Sequence, residues 1–210
     1  MTEKTFNKYF NLFILVGTAV SVILATIIKT IRNDAEVDSL LVISAFGSVM
    51  GVLSTVAAAN GKIITFLFGF IDVTIYGIMC FLGENYGNAA LHLLYFVPMQ
   101  IIGFYQWRKR GAAAKSEVKA RRLSGMQWIL TLAVFAAGTA ISYLILDRFS
   151  DDPADKIIKM AILTDAMAMI CNMIGQFLMS TAYADQWFFW IGVNVSSIIM
   201  WSLTLASGES

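Results

Sequence analysis

Charge is what this sequence has least of: 14% of its 210 residues are charged and 58% are hydrophobic, with a mean hydropathy of +0.72. A soluble domain carries about 25% charged residues, so water is not the solvent most of this chain is built for. Histidine occurs once, at His92, which leaves no His-based metal cluster to assemble. Cysteine occurs twice, at Cys80 and Cys171. Each lies inside an apolar run with no Cys or His at ligand spacing, where a thiol packs as a small apolar group. No G-x-x-x-x-G-K-[ST] stretch offers a phosphate-binding loop, and no Ser-His-Asp or H-E-x-x-H pattern suggests a hydrolase. Neither ATP-driven transport nor catalysis is expected, and no cofactor is implied.

Long apolar runs are what the chain does have. Seven can be read, at 10–29, 40–59, 62–83, 88–107, 126–146, 157–181 and 186–206, each long enough to cross a hydrocarbon core of about 30 Å as a helix. No alternating short-segment pattern suggests a membrane barrel. The first run could be taken for a signal peptide, but no small-residue cleavage site follows it, so it is kept as a span. The expected fold is all-α and integral to the membrane, with the bilayer as its main partner.

Lys and Arg are unevenly placed. The connection after the fourth run, "QWRKRGAAAKSEVKARRLSG", holds Arg108, Lys109, Arg110, Lys115, Lys119, Arg121 and Arg122. Putting it in the cytoplasm assigns ten positive charges inside and five outside, and the positive-inside bias then places the N-terminus inside and the C-terminus outside. The same loop could be a nucleic-acid patch or an anionic-lipid anchor, but a solvated topology determinant is the simpler reading; no nucleic-acid partner is expected. It divides the chain into a first three-helix bundle (1–87), a linking helix with the basic loop (88–125) and a second three-helix bundle (126–210). Set side by side without gaps so that Thr65 stands opposite Trp187, the segments "FLFGFIDVTIYGIM" and "WFFWIGVNVSSIIMW" place Asp72 opposite Asn194 and Phe68 opposite Trp190. That match predicts a parallel pseudo-repeat in a 3+1+3 arrangement.

Polar side chains inside the runs are the candidate site. A carboxylate at a helix centre costs about 2.5 to 3.5 kcal/mol on insertion scales, so Asp72 and Asp165 should avoid lipid. Asp72 reads either as an acceptor for a polar or cationic ligand or as an interhelical bond. Asp165, Met169, Asn172 and Gln176 follow spacings of four, three and four, one stripe of a helix. In the fourth run Pro98 should kink the span near Gln100, a deep side chain that both donates and accepts. His92 reads as packing. Trp187, Trp190 and Asn194 share a face by three-then-four spacing; Trp187 alone would suit an interfacial belt, but two indoles and an amide on one face can stack on a flat ring and bond its polar edge.

These segments carry a resemblance. "FGFIDVTIYG", "YFVPMQIIGFYQW" followed by "RKR", and "WFFWIGVN" are similar to the PnuC family of bacterial vitamin transporters across nearly the whole chain. The resemblance implies a seven-helix core like that of SWEET sugar transporters but oppositely oriented, in the bacterial inner membrane. It implies a vitamin substrate, nicotinamide riboside first, with thiamine and riboflavin carried by related branches, moved by facilitated diffusion and trapped by a separate cytoplasmic kinase. It also implies a homo-oligomer, with a trimer as the candidate state, although no coiled-coil or clear G-x-x-x-G dimer signature establishes one; the pair Gly47 and Gly51 reads as close helix packing within one subunit. The expected ligand residues are Trp187 and Trp190 for stacking, Asn194 and Gln100 for hydrogen bonds, and Asp72, Asn172 and Gln176 as further lining. A SWEET-like sugar carrier, or a non-transporting membrane subunit with polar stripes as interhelical glue, remain the alternatives.

Overall fold

The computed structural model describes residues 3–32, 39–112, 117–149 and 156–207. Among them the chain is all-helical, with no strand, and forms seven helices. They are α1 (Glu3–Arg32), α2 (Ser39–Ala59), α3 (Thr65–Leu82), α4 (Tyr86–Gly111), α5 (Gly125–Arg148), α6 (Lys156–Ser180) and α7 (Gln186–Ser207). The first six contain stretches long and apolar enough to cross a membrane. In α7 the apolar stretch is shorter, Gln186–Met200, yet its 22 residues reach about 33 Å at about 1.5 Å per residue. Large apolar side chains point outward along α1 and α5, among them Phe13, Ile31, Met126 and Ile129. Such faces suit hydrocarbon and not water. The protein is a multi-pass membrane protein.

The chain falls into two compact units, residues 1–119 and 120–210. In the first, α2 packs on α1 and α3, and α3 packs on α4. In the second, α6 packs on α5 and, most extensively, on α7. Its core gathers Ile170, Ile174, Leu178, Tyr183 and Phe189, with Trp128 stacked on Phe189 at 6.1 Å.

Local chemistry sets the helix ends. Ser124 and Gln127 form a capping box at the start of α5, the Gln127 N–H donating to Ser124 Oγ and the Ser124 N–H to Gln127 Oε1, which satisfies two otherwise orphaned donors. Both α2 and α6 end in the same left-handed turn. Gly61 (φ 65°) and Ala182 (φ 61°) occupy the turning position, with the Lys62 N–H donating to Ala57 O and the Tyr183 N–H to Leu178 O, the 6→1 bond of a Schellman motif. The segment after α4 rests on these features within each unit. In the first, the Val118 N–H donates to Gly61 O at 2.8 Å. In the second, Arg121 and Tyr183 form a parallel bridge, the Arg121 guanidinium lies 4.0 Å over the Tyr183 ring, and the Leu123 N–H donates to the buried Asp185 carboxylate at 2.7 Å.

Two expectations need correction. The distortion in α4 falls before Gln100: residues Leu91–Phe96 form a π-helical stretch, and Val97–Trp107 is regular α-helix. The proline ring crowds the carbonyl four residues upstream, so the widening belongs on that side of Pro98. The register of the two hairpins also differs by one residue. The turns align Gly61 with Ala182 and the helix starts align Thr65 with Gln186, which sets Asp72 against Val193 and Val73 against Asn194.

Candidate substrate-binding site

In the second unit the site residues are held by the α6–α7 hairpin. Phe189 turns into the core, which leaves Trp187 and Trp190, both half-buried, on another face of α7, with Asn194 exposed further along. Trp190 can lie this close to α6 because residue 175 is glycine: a Cβ there would sit 3.1 Å from Cε2 and 3.2 Å from Cδ2 of the indole. The indole is therefore seated on bare helix backbone, and its plane is fixed by α6. Asn172, one turn before Gly175, is half-buried. Gln176 is buried and donates from Nε2 to Ser180 Oγ at 3.2 Å, so part of its hydrogen-bonding capacity is used inside α6. Burial rises along the sequence-predicted stripe from exposed Asp165 to Gln176.

In the first unit the polar groups sit on successive rungs between α2 and α3. Asp72 is half-buried against Gly51, whose Cβ would lie 2.8 Å from Asp72 Oδ2. Among the described residues no hydrogen bond reaches this carboxylate. One turn away, Ser54 and Thr65 lock α2 to α3 reciprocally: Ser54 Oγ donates to Thr65 O and Thr65 Oγ1 to Ser54 O, both at 2.9 Å. Between them and α4 lies Gly69, whose Cβ would meet Gln100 Oε1 at 2.8 Å and Ser54 Oγ at 3.0 Å. Gln100, 3% exposed, thus fills the space a side chain on α3 would take. His92 packs: its Nδ1 lies 2.9 Å from Asn88 O and its ring lies against Tyr76 and Phe96. Both cysteines are free, Cys171 with its Sγ 3.0 Å from where a Gly192 Cβ would be.

The structure therefore brings Trp187, Trp190, Asn172 and Gln176 onto one hairpin, and Asp72 and Gln100 onto neighbouring rungs of another. Sequence reasoning missed Gly69, Gly175, Ser54, Thr65 and Asp185. Asp185 had a readable signal, an acidic residue one position before a helix start. The glycines had none, because the partner that needs the space is on another helix.

Comparison with known proteins agrees with this architecture. The profile of the nicotinamide mononucleotide transporter family matches residues 41–207. The nicotinamide riboside transporter PnuC of Neisseria mucosa is 33% identical over 174 residues, 80% of this chain and 63% of the relative. The chain thus spans less than two thirds of that relative's length. The PnuC proteins of Haemophilus influenzae and Escherichia coli are 27% and 25% identical, over 75% and 77% of this chain and 67% and 74% of theirs. The crystal structure of a vitamin B3 transporter PnuC superposes with a TM-score of 0.66 at 29% identity, covering 98% of this chain and 80% of that one. With four-fifths of its length inside one profile, the chain belongs to the nicotinamide mononucleotide transporter family.

Proposed function

We propose that this protein carries nicotinamide riboside across the bacterial inner membrane by facilitated diffusion, with cytoplasmic phosphorylation by a separate kinase retaining the vitamin. The observation that carries the proposal is the half-open indole pair of α7, with Trp190 seated on Gly175. Nicotinamide riboside has a flat cationic ring, a carboxamide and a hydroxylated sugar. Indole faces attract a cation by their quadrupole, worth about 2 kcal/mol when desolvated. Asn194 and Asn172 offer both donors and acceptors for the carboxamide or sugar, and so does Gln100 in the first unit. Asp72, with its carboxylate not engaged in a hydrogen bond among the described residues, supplies the negative charge that a cationic ligand requires. Gln176 is the least available of the set, since Ser180 already accepts from it.

The finer architecture belongs to the same proposal: 3+1+3 helices with α4 as the link, SWEET-like with opposite orientation, N-terminus cytoplasmic, and assembly as a homo-oligomer, a trimer being the candidate. Transport would proceed by movement of one three-helix bundle against the other.

Calorimetric titration of the purified protein with nicotinamide riboside, thiamine and riboflavin tests the reading. Loss of one desolvated cation–π contact in Trp190→Ala should raise Kd roughly thirtyfold, provided the variant keeps its melting temperature. Thiamine is also a cationic aromatic, and its preferential binding would reassign the substrate within the family. Sugar flux unaffected by Asp72→Asn would support a SWEET-like carrier instead. Absence of any solute flux in liposomes would leave the polar stripes as interhelical glue.

A further inference from the structure

Between α3 and α4 a cavity of about 350 Å³ opens on the surface of the first unit. Gln100 reaches its floor, but the rest of its wall has been given no role. Phe66, 2% exposed, also lines it. Phe66 tucks against Gly103, where a Cβ would collide with the ring, and meets Trp107 edge-on at 5.0 Å. The rim is apolar and exposed: Leu67, Phe70, Ile101 and Tyr105. In a membrane-spanning hairpin such a groove does not stay empty, because its lining would forgo dispersion contacts with hydrocarbon.

The end of the groove carries the second observation. The Phe66–Trp107 contact puts the start of α3 beside the end of α4, so Lys62 lies at the same end as Arg108 and Lys109. Arg108 and Lys109 follow Phe104 and Tyr105 by four residues, on the stripe that lines the groove. All three cations are exposed, and among the described residues none pairs with a carboxylate. Long basic side chains at a helix end reach toward the headgroup layer, and basic pockets between spanning helices hold anionic headgroups.

We propose that this groove binds one anionic phospholipid, with an acyl chain lying between α3 and α4 and its phosphate on Lys62, Arg108 and Lys109. The groove shares Gln100 with the residues proposed for the vitamin, but the lipid proposal does not rest on the transport assignment.

The test is native mass spectrometry and thermal melting of the full chain in mild detergent with phosphatidylglycerol, phosphatidylcholine or inorganic phosphate. Phosphatidylglycerol should be retained one to one and raise the melting temperature, whereas the other two should do neither. Lys62→Gln, Arg108→Gln and Lys109→Gln combined should weaken phosphatidylglycerol binding roughly a hundredfold, taking about fivefold per cation. Leu67→Trp with Ile101→Trp should abolish the adduct by filling the groove, at an unchanged lipid-free melting temperature. Equal stabilisation by phosphatidylcholine, the full effect from phosphate alone, or an adduct that survives both variants would overturn the proposal. So would a change of oligomeric mass in the tryptophan variant, which would give the groove to a second copy.

Discussion

Gly175→Ala separates the ligand role of the indole pair from its packing role. A Cβ at residue 175 would lie 3.1 to 3.3 Å from three indole atoms of Trp190, so the rigid ring must retreat by a few tenths of an ångström. Two terms then oppose each other in stability. Alanine gains about 0.5 to 1 kcal/mol over glycine inside a helix, while overpacking costs about 1 to 3 kcal/mol. The net change is about 0 to 2.5 kcal/mol destabilising, a melting shift of at most about 10 °C for a chain of this size. If the indole stacks on the vitamin as proposed, affinity has no such offset, because the ring that moves is the one that would stack. Forfeiting about half of a 2 kcal/mol cation–π contact raises Kd roughly fivefold.

Gly138→Ala provides a matched control in the same unit. Its Cβ would meet Ile170 at 3.1 to 3.3 Å, the same closeness, but against a buried aliphatic side chain of the core. It should leave Kd unchanged and lower stability by a similar amount. The assay is nicotinamide riboside calorimetry on both variants beside their melting curves. An unchanged Kd in Gly175→Ala together with a lowered melting temperature would show that Trp190 packs without touching ligand, and the stacking role would fail.

Three further outcomes can be checked by thermal melting. Gly103→Ala should destabilise by about 2 kcal/mol or more, because a Cβ there collides with the Phe66 ring and Phe66 is hemmed in by Trp107; a near-neutral result would mean the α3–α4 seam can open. Exchanging the turning residues should act in opposite directions: Gly61→Ala should cost more than about 1 kcal/mol, since φ is 65° and its Cβ would lie 2.8 Å from Val118 O. Ala182→Gly should gain up to about 1 kcal/mol by relieving the same strain at φ 61°. Asp185→Ala should cost about 1.5 to 3 kcal/mol by orphaning the Leu123 N–H, and Asp185→Asn, which keeps an acceptor oxygen, should recover part of that loss.

The helices were legible because apolar runs ended by charged or turn residues carry their own boundaries. The last two runs, read at 157–181 and 186–206, form Lys156–Ser180 and Gln186–Ser207. The three-then-four spacing of Trp187, Trp190 and Asn194 placed them on one face for the same reason, since it depends only on helical pitch. What escaped depends on a second helix. Pairing Asp72 with Asn194 matched the polar side chains by type, whereas the structural register follows the left-handed turns. Those turns are occupied by glycine in one hairpin and alanine in the other, so residue identity concealed their equivalence. The partner of Gln176 was within reach, because Ser180 lies four residues on, the ordinary spacing for a side-chain bond along a helix.

The corrected register also explains how two similar hairpins present different chemistry. The rung that joins Ser54 to Gly69 in the first unit corresponds to the rung that joins Gly175 to Trp190 in the second. The small glycine has changed helices. With glycine on α3, the gap is filled from α4 by the Gln100 carboxamide; with glycine on α6, it is filled by the Trp190 indole. One exchange of a side chain for a hydrogen atom thus turns an amide-bearing hairpin into an aromatic one without altering the backbone turn that closes both. A strictly repeated hairpin would present the same surface twice, whereas these two present an amide in one unit and an indole in the other. On this argument Gly69 and Gly175 decide which side chain each hairpin presents, although neither glycine has a side chain of its own to offer.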